Sequence, residues 1–540
     1  MTFSSLTFTT LFFPAVLILY FICTDLRWRN GVLLVASLIF YSWGEPIWVL
    51  AMIGSTAINY VAAMLIDRAS SPGLRKTALV VGAAASLAVL FYFKYAAFLV
   101  NSVTSLFGVS FSIPVLELPI GISFYTFQVL TYTVDVYRGK SPVQRDPFKL
   151  MLYVSCFPQL IAGPIVQYSD VAVMLDERKS TPDGFTEGMK RFAVGLSKKV
   201  LLANVCGLII EELPSAAGAS GMSVLGAWYI SVLYSLQLYF DFSGYSDMAI
   251  GMGRIFGFTY KENFNYPYIS KSASEFWRRW HISLGSFFRD YVYIPLGGNR
   301  RGRARTALNL AIVWALTGLW HGASWNFVIW GLYYGVLIIL EKLVLADFRE
   351  KLPGAAQHIA ALFLIVVGWT GFYYTDMGCL GKHLGAMFGI GAAGLSDPVT
   401  MAVIRKYTVL PLIAAIASLA GTYMVRPIVN GLAAGGEELL TKQVIVTAII
   451  YAAGVLSALG YSQIMVRAAQ RVVSDIRRDL FAHIQTLPLS YFDSTRSGDI
   501  MSFFTNDVDT VSEALNNSFA MVIQSFIQIA VSYTHLRAHE

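Results

Sequence analysis

TALNLAIVWALTGLWHGASWNFVIWGLYYGVLIIL, Thr306 to Leu340, runs for 35 residues without an Asp, Glu, Lys or Arg. One straight helix of that length would extend about 52 Å, well past the roughly 30 Å hydrocarbon core of a bilayer. Gly318 and the stretch Gly322-Ala323-Ser324 offer a break, and charge flanks both ends at Arg305 and at Glu341-Lys342. The segment therefore reads as a hairpin of two membrane helices. Its one titratable group near neutral pH is His321, in GLWHGASWNF, about 23 Å of helical rise from the charged entrance. An ionisable side chain inside a membrane segment is costly and by default a functional hypothesis. The competing reading is a hydrogen-bonded structural histidine.

The same apolar pattern continues outward. Of 540 residues, 56% are hydrophobic and 14% charged, against roughly 25% charged in a typical soluble domain. Uncharged runs recur at Met1 to Thr24, Pro46 to Ile66, Thr77 to Phe93, Leu213 to Phe240, Tyr407 to Val425 and Val444 to Val466. Most are long enough to cross a bilayer as helices. The expected fold is all-α: a polytopic membrane protein with about ten to twelve membrane helices, plus re-entrant and interfacial amphipathic helices.

The first run has no Lys or Arg ahead of it and no small-residue cleavage site before Asp25, so it reads as a first membrane helix rather than a signal peptide. Cys23, Cys156, Cys206 and Cys379 are scattered without a CxxC pairing, which points to neither a metal site nor a disulfide framework. The net charge of +7 sits in short loops between apolar runs. That is the positive-inside bias of a membrane protein, not a nucleic-acid surface.

The bias also threads the chain. Arg27 and Arg29 precede, and Arg68, Arg75 and Lys76 follow, an apolar stretch interrupted at Glu45-Pro46, so two crossings return to the basic side. Met151 to Ser169 lies between two basic loops and contains Pro158 and Gly163-Pro164. It reads as a re-entrant element buried in protein, with a kinked full crossing as the alternative. Asp241 to Arg305 has too many charges to span but many aromatics, which places it on the cytoplasmic side or at the interface. Within it, Ser272 and Glu275 form a capping-box pattern that predicts a short helix carrying Phe276, Trp277, Trp280 and His281 on adjoining faces.

A histidine can take a proton from a hydroxyl as its oxygen attacks a thioester, which is what general-base acyl transfer requires. Neither a GxSxG elbow nor an HExxH pair is present to support a serine hydrolase or a zinc protease. The strings YFDFSGYSDMAIGMGRIFGF (Tyr239 to Phe258), NFNYPYISKSASEFWRRWHISLGSFFRDYVYIPLGG (Asn263 to Gly298) and LTGLWHGASWNFVIWGLYYG (Leu316 to Gly335) resemble the membrane-bound O-acyltransferase family, its bacterial alginate O-acetyltransferase branch above all. LPIGISFYTFQ (Leu118 to Gln128) and FPQLIAGPI (Phe157 to Ile165) fit the same branch, and the likeness covers residues 1 to about 430.

The resemblance implies catalytic roles for His321, as general base, and His281, as its polar partner. It implies acetyl-CoA as co-substrate, no bound cofactor or metal, and a polysaccharide acceptor outside a bacterial cell membrane. It also implies an exported or membrane-tethered SGNH-type acetyltransferase as partner. Lys271, Arg278, Arg279 and Trp280 are the candidate acyl-donor contacts, the basic ones because guanidinium and ammonium groups neutralise phosphates. A solvated, lipid-facing cluster is the alternative for these cations. Another cargo, D-alanine for teichoic acid or an acyl chain for lipid, fits the same motifs, and a transporter fragment with structural histidines is the reading from a different class.

The composition shifts at residues 431–442. Beyond it, residues 443–531 resemble part of an ABC exporter membrane domain, yet the chain contains no GxxxxGK[ST] phosphate loop. Residues 532–540, SYTHLRAHE, resemble translated adapter read-through, so the chain reads as a chimera: an acyltransferase of residues 1–430 joined to an unrelated segment.

Overall fold

A computed structural model describes the chain from residue 2 to residue 409, apart from residues 6, 109–110, 112, 115, 161–162 and 218–220, together with residues 441–450 and scattered positions between 452 and 502. The junction at 431–442, the segment 443–531 and the tail 532–540 fall largely or wholly outside the described residues. Every regular element described is helical. Among the described residues, five helical stretches are long and apolar enough to cross a membrane: Val49–Arg68, Pro72–Leu106, Pro182–Pro214, Trp325–Leu343 and Gly354–Tyr373.

The chain divides into two units, Met1–Ile210 with Ala227–Ala392 and Glu211–Gly226 with Ala393–Glu540. In the second, Glu212 accepts from Lys406 Nζ at 2.9 Å and from the Tyr407 hydroxyl at 2.5 Å. Asp397 there caps the helix Pro398–Ile404 through the Thr400 N–H at 2.7 Å.

The first unit opens with α1 (Phe13–Ile22), α2 (Leu26–Ser42) and α3 (Val49–Arg68). Asp25 caps α2 by accepting from the Trp28 N–H at 3.1 Å, and the α2–α3 break falls at Glu45-Pro46 as expected. The helix α4 (Pro72–Leu90) passes through a single wide turn, Phe91–Tyr95, into α5 (Ala96–Leu106), so one rod continues beyond the uncharged run. After α6 (Ile122–Tyr137), α7 (Pro147–Ser155) stops at Cys156, and a buried turn covers Phe157–Leu160. Lys149 at the start of this excursion pairs with Asp176 beyond its end. The pairing brings together the two flanks of the segment expected to be re-entrant.

The helices α8 (Pro182–Ser197), α9 (Asn204–Ala217) and α10 (Val224–Ile255) follow. The crossing of α8 and α10 is glycine-lined: a Cβ on Gly251 would lie 2.6 Å from the Gly188 carbonyl, and one on Gly244 2.7 Å from that of Gly195. Small residues let the backbones approach where lipid supplies no hydrophobic drive for association. Ion pairs close the same seam, Arg191 and Lys198 to Asp247 at 2.9 and 2.6 Å and Lys199 to Asp241 at 2.7 Å. The core beneath is aromatic, with Phe8, Phe13, Phe40, Phe157 and Phe256 all buried and in ring contact.

The serine half of the predicted capping box is present, while the Glu275 carboxylate reaches one residue further back, to the Lys271 N–H. Ser272 Oγ accepts from the Glu275 N–H at 3.0 Å and starts α11 (Ala273–Arg279). That helix ends before Trp280, so His281 does not share a helical face with Phe276 and Trp277; it stands in left-handed backbone and caps α12 (Ile282–Phe288). The hairpin is as expected: α13 (Gly302–His321), an extended break at Gly322, and α14 (Trp325–Leu343). The unit closes with α15 (Gly354–Tyr373) and α16 (Met377–Met387).

Candidate active site

His321 is the last residue of α13, so the helix end decides where its ring stands. The last carbonyls of a helix have no partner within it. Here the Leu319 carbonyl accepts from the Tyr95 hydroxyl at 2.9 Å, and the Trp320 carbonyl accepts from Lys94 Nζ. Both donors come from the wide turn between α4 and α5, and a cation suits the negative end of a helix. The His321 ring stands edge-on to Trp330 and to Phe372, each at 5.1 Å between centroids.

His281 reaches the same place from the other direction. Its ring is 2% exposed, packs against Phe242 at 4.7 Å and lies 6.0 Å from Trp320. Both histidines line one cavity of about 450 Å³, with Lys94, Ser123, Phe242, Trp280, Trp320, Trp369, Phe372 and the loop Leu118–Gly121. Among the described residues, Lys94 is the one formal charge in its wall, and no carboxylate lines it. Trp280 and His281, within the stretch expected on the cytoplasmic side or at the interface, are buried in the protein. His281 stands in left-handed backbone, and Trp280 beside it packs against Phe264 and Trp369.

The expected donor contacts are not gathered together. Trp280 is buried in the cavity wall. Arg279 Nε pairs with Glu275 at 3.0 Å, and the other carboxylate oxygen of Glu275 accepts from the Lys271 N–H at 3.0 Å. That backbone bond, with the Arg279 guanidinium, holds the Glu275 carboxyl below its usual range. Lys271 is itself exposed. Arg278 instead lines a second pocket of about 270 Å³ with Arg289, Lys342, Ser274, Trp277 and Trp314. Arg289 is matched by Asp290 at 2.7 Å. Glu341 is turned away to cap α11 through the N–H groups of Ala273 and Ser274, at 2.6 and 2.8 Å. Trp277, in that pocket's wall, packs 5.9 Å from Trp369 in the wall of the histidine cavity.

Lys94, Ser123 and Asn263 were not found by reading the sequence. For Lys94 a signal existed: it ends an uncharged run that the helix does not end with, which makes it an intramembrane cation. Lys94→Met removes the donor to the Trp320 carbonyl and is expected to cost about 1–3 kcal/mol, the range for leaving a buried acceptor unpaired. The expected readout is a lowered unfolding midpoint together with lowered turnover. An unchanged midpoint would mean that the Lys94 contact does not hold the helix end.

Two titratable rings facing one apolar cavity deep in helices suit acyl transfer, in which one group takes a proton and another receives or orients it. Residues 133–380 match the membrane-bound O-acyltransferase family. The chain is 40% identical over 427 residues to a probable alginate O-acetylase AlgI of Pseudomonas syringae pv. tomato, covering 78% of this chain and 81% of that protein. The chain belongs to the membrane-bound O-acyltransferase family. A probable alginate O-acetylase AlgI of Azotobacter vinelandii is 42% identical over 405 residues, covering 74% of this chain and 80% of its own length. A peptidoglycan O-acetyltransferase of Helicobacter pylori is 33% identical over 393 residues, 67% of this chain and 74% of that protein. The acyltransferase likeness does not extend to the end of the chain: residues 404–536 match the ABC transporter transmembrane region, in keeping with a chimeric sequence. The chain is thus a membrane-embedded acyltransferase, and the histidine cavity is its candidate active site.

Proposed function

We propose that this acyltransferase is an O-acetyltransferase of a bacterial plasma membrane. In this reading acetyl-CoA arrives on the cytoplasmic side and the acetyl group passes to hydroxyls of an extracellular polysaccharide, onward through an exported or membrane-tethered SGNH-type partner. The observation that carries it is the pairing of His321 and His281 on one cavity that Lys94 also lines. His321 acts as general base: it takes the acceptor's proton as the oxygen attacks the thioester carbonyl, then returns it to the departing sulfur. His281 is its polar partner. The names of the relatives, alginate O-acetylase and peptidoglycan O-acetyltransferase, support acetyl as the cargo and a glycan as the acceptor. Arg278 and Lys342, in the pocket backed by Trp277, are the cations with geometry suited to donor phosphates, with Trp280 on the route to the histidines. The enzyme is assigned to residues 1–430, with 443–531 a separate membrane segment.

The test is transfer of labelled acetyl from acetyl-CoA by the purified full chain in proteoliposomes, with oligosaccharides as acceptors and the SGNH-type partner added. Label in the glycan is the expected result. Label delivered only from a D-alanyl carrier or a long-chain acyl-CoA would replace the cargo, and no transfer from any donor would return the chain to the transporter-fragment reading.

A further inference from the structure

Asn263 holds His281 twice. Its backbone carbonyl accepts from the Ile282 N–H at 3.0 Å, pinning the turn in which His281 takes φ 46. Its carboxamide oxygen accepts from the Ser283 N–H at 3.2 Å and from Ser283 Oγ at 2.9 Å, and lies 3.2 Å from His281 Nδ1. A backbone N–H can only donate, so the side-chain atom it meets is the oxygen, which fixes the carboxamide orientation. Ser283 Oγ accepts from the Ile165 N–H at 2.9 Å, so its own proton is available for Asn263. The re-entrant segment thereby joins the network.

The carboxamide oxygen brings no proton to its contact with His281, and the Ser283 hydroxyl, 3.4 Å from Nδ1, gives its proton to the shorter 2.9 Å bond with that same oxygen, so Nδ1 carries its own. A neutral imidazole with Nδ1 protonated has a bare lone pair on Nε2. That nitrogen is buried and without a hydrogen-bond partner, on a ring that lines the cavity. The opposite tautomer would make His281 a donor to the cavity, but it would set two lone pairs face to face across 3.2 Å.

We infer that Asn263 is the positioning residue of the histidine pair. It keeps His281 an acceptor, so that Nε2 receives an N–H of His321 once that ring is an imidazolium. The inference rests on the acyl-transfer reading above. In that step the acceptor O–H bond breaks and its proton goes to one nitrogen of His321 while the oxygen bonds to the acyl carbon. Collapse of the tetrahedral intermediate breaks the carbon–sulfur bond, and the sulfur takes the proton from His321. The second N–H of the transient imidazolium is the one His281 accepts, so that hydrogen bond forms only when charge develops.

The tautomer is measurable apart from turnover. Nitrogen-15 solid-state NMR of the ring-labelled full chain in lipid, with the His281 signals assigned by their loss in His281→Gln, is expected to show a protonated Nδ1 and a bare Nε2. Asn263→Leu is expected to release the ring to mixed tautomers and to lower kcat about 100-fold with little change in KM, as losing an orienting partner does. Asn263→Asp keeps an acceptor against Nδ1 and is expected to restore the single tautomer and most of the turnover. A proton on Nε2 in the unsubstituted protein would overturn the inference, as would Asn263→Leu with unchanged tautomer and kcat. If the unsubstituted protein transfers no acyl group, the acyl-transfer reading falls, and the NMR result still decides what Asn263 does to His281.

Discussion

His321→Ala is expected to lower kcat about 1000-fold, equivalent to about 4 kcal/mol of transition-state stabilisation, with little change in KM for the acyl donor. The ring packs against Trp330 and Phe372, yet its removal takes nothing from the ties at the helix end, which run through the Leu319 and Trp320 carbonyls. The unfolding midpoint should therefore stay close to that of the unsubstituted protein, and alanine suits the last position of a helix. His321→Gln sharpens the test, because glutamine keeps polar atoms in the cavity but cannot take a proton. An equal fall in both variants assigns the loss to proton transfer, whereas turnover within about threefold for the glutamine variant would remove the base from His321. Steady-state kinetics with labelled acetyl-CoA, beside a thermal unfolding curve in the same detergent, decides it.

What the sequence made legible was what hydrophobic length and local hydrogen bonding determine. The hairpin of α13 and α14 follows from a run too long for one crossing with small residues in its middle, and the start of α11 follows from Ser272 and Glu275 three residues apart. The break in the chain near Pro158 was readable because proline and glycine interrupt a helix. Convergence was less readable. His281 was named, but on the resemblance; nothing in EFWRRWHISL announces that its backbone enters the left-handed region and brings the ring beside Trp320. A single positive φ on a non-glycine residue is imposed by its surroundings, here by Asn263, eighteen positions away in the chain. Lys94 was hidden for a related reason: the uncharged run ended at it, so it was counted as a boundary, while the helix continues to Leu106. Arg278 and Arg279 are neighbours in sequence, and the helix turns one to a basic pocket and the other to Glu275.

The hairpin itself gives the second large expected effect. The helices α13 and α14 cross with Gly318 against Gly331: a Cβ on Gly331 would lie 3.0 Å from the Gly318 Cα, and one on Gly318 3.1 Å from the Phe327 carbonyl carbon. Four residues along, a Cβ on Gly335 would meet that of Trp314 at 3.0 Å. This is a small-xxx-small face, on which packing itself holds the helices together. Gly331→Leu has backbone in front of it and no flexible side chain to displace, so the helices must separate. Overpacking of this kind costs about 1–3 kcal/mol. The functional loss should be larger, because His321 ends α13 only three residues past Gly318, and a shift near 1 Å in a reacting group lowers turnover about 100-fold. Gly54→Ala is the matched control: Gly54 lies within α3, a Cβ there meets nothing within 4 Å, and alanine favours helix. Gly331→Leu is therefore expected to lower both the unfolding midpoint and kcat while Gly54→Ala lowers neither. A Gly331→Leu protein with full turnover would mean that the His321 position is set by the Lys94 and Tyr95 ties alone, independently of how closely the two hairpin helices pack.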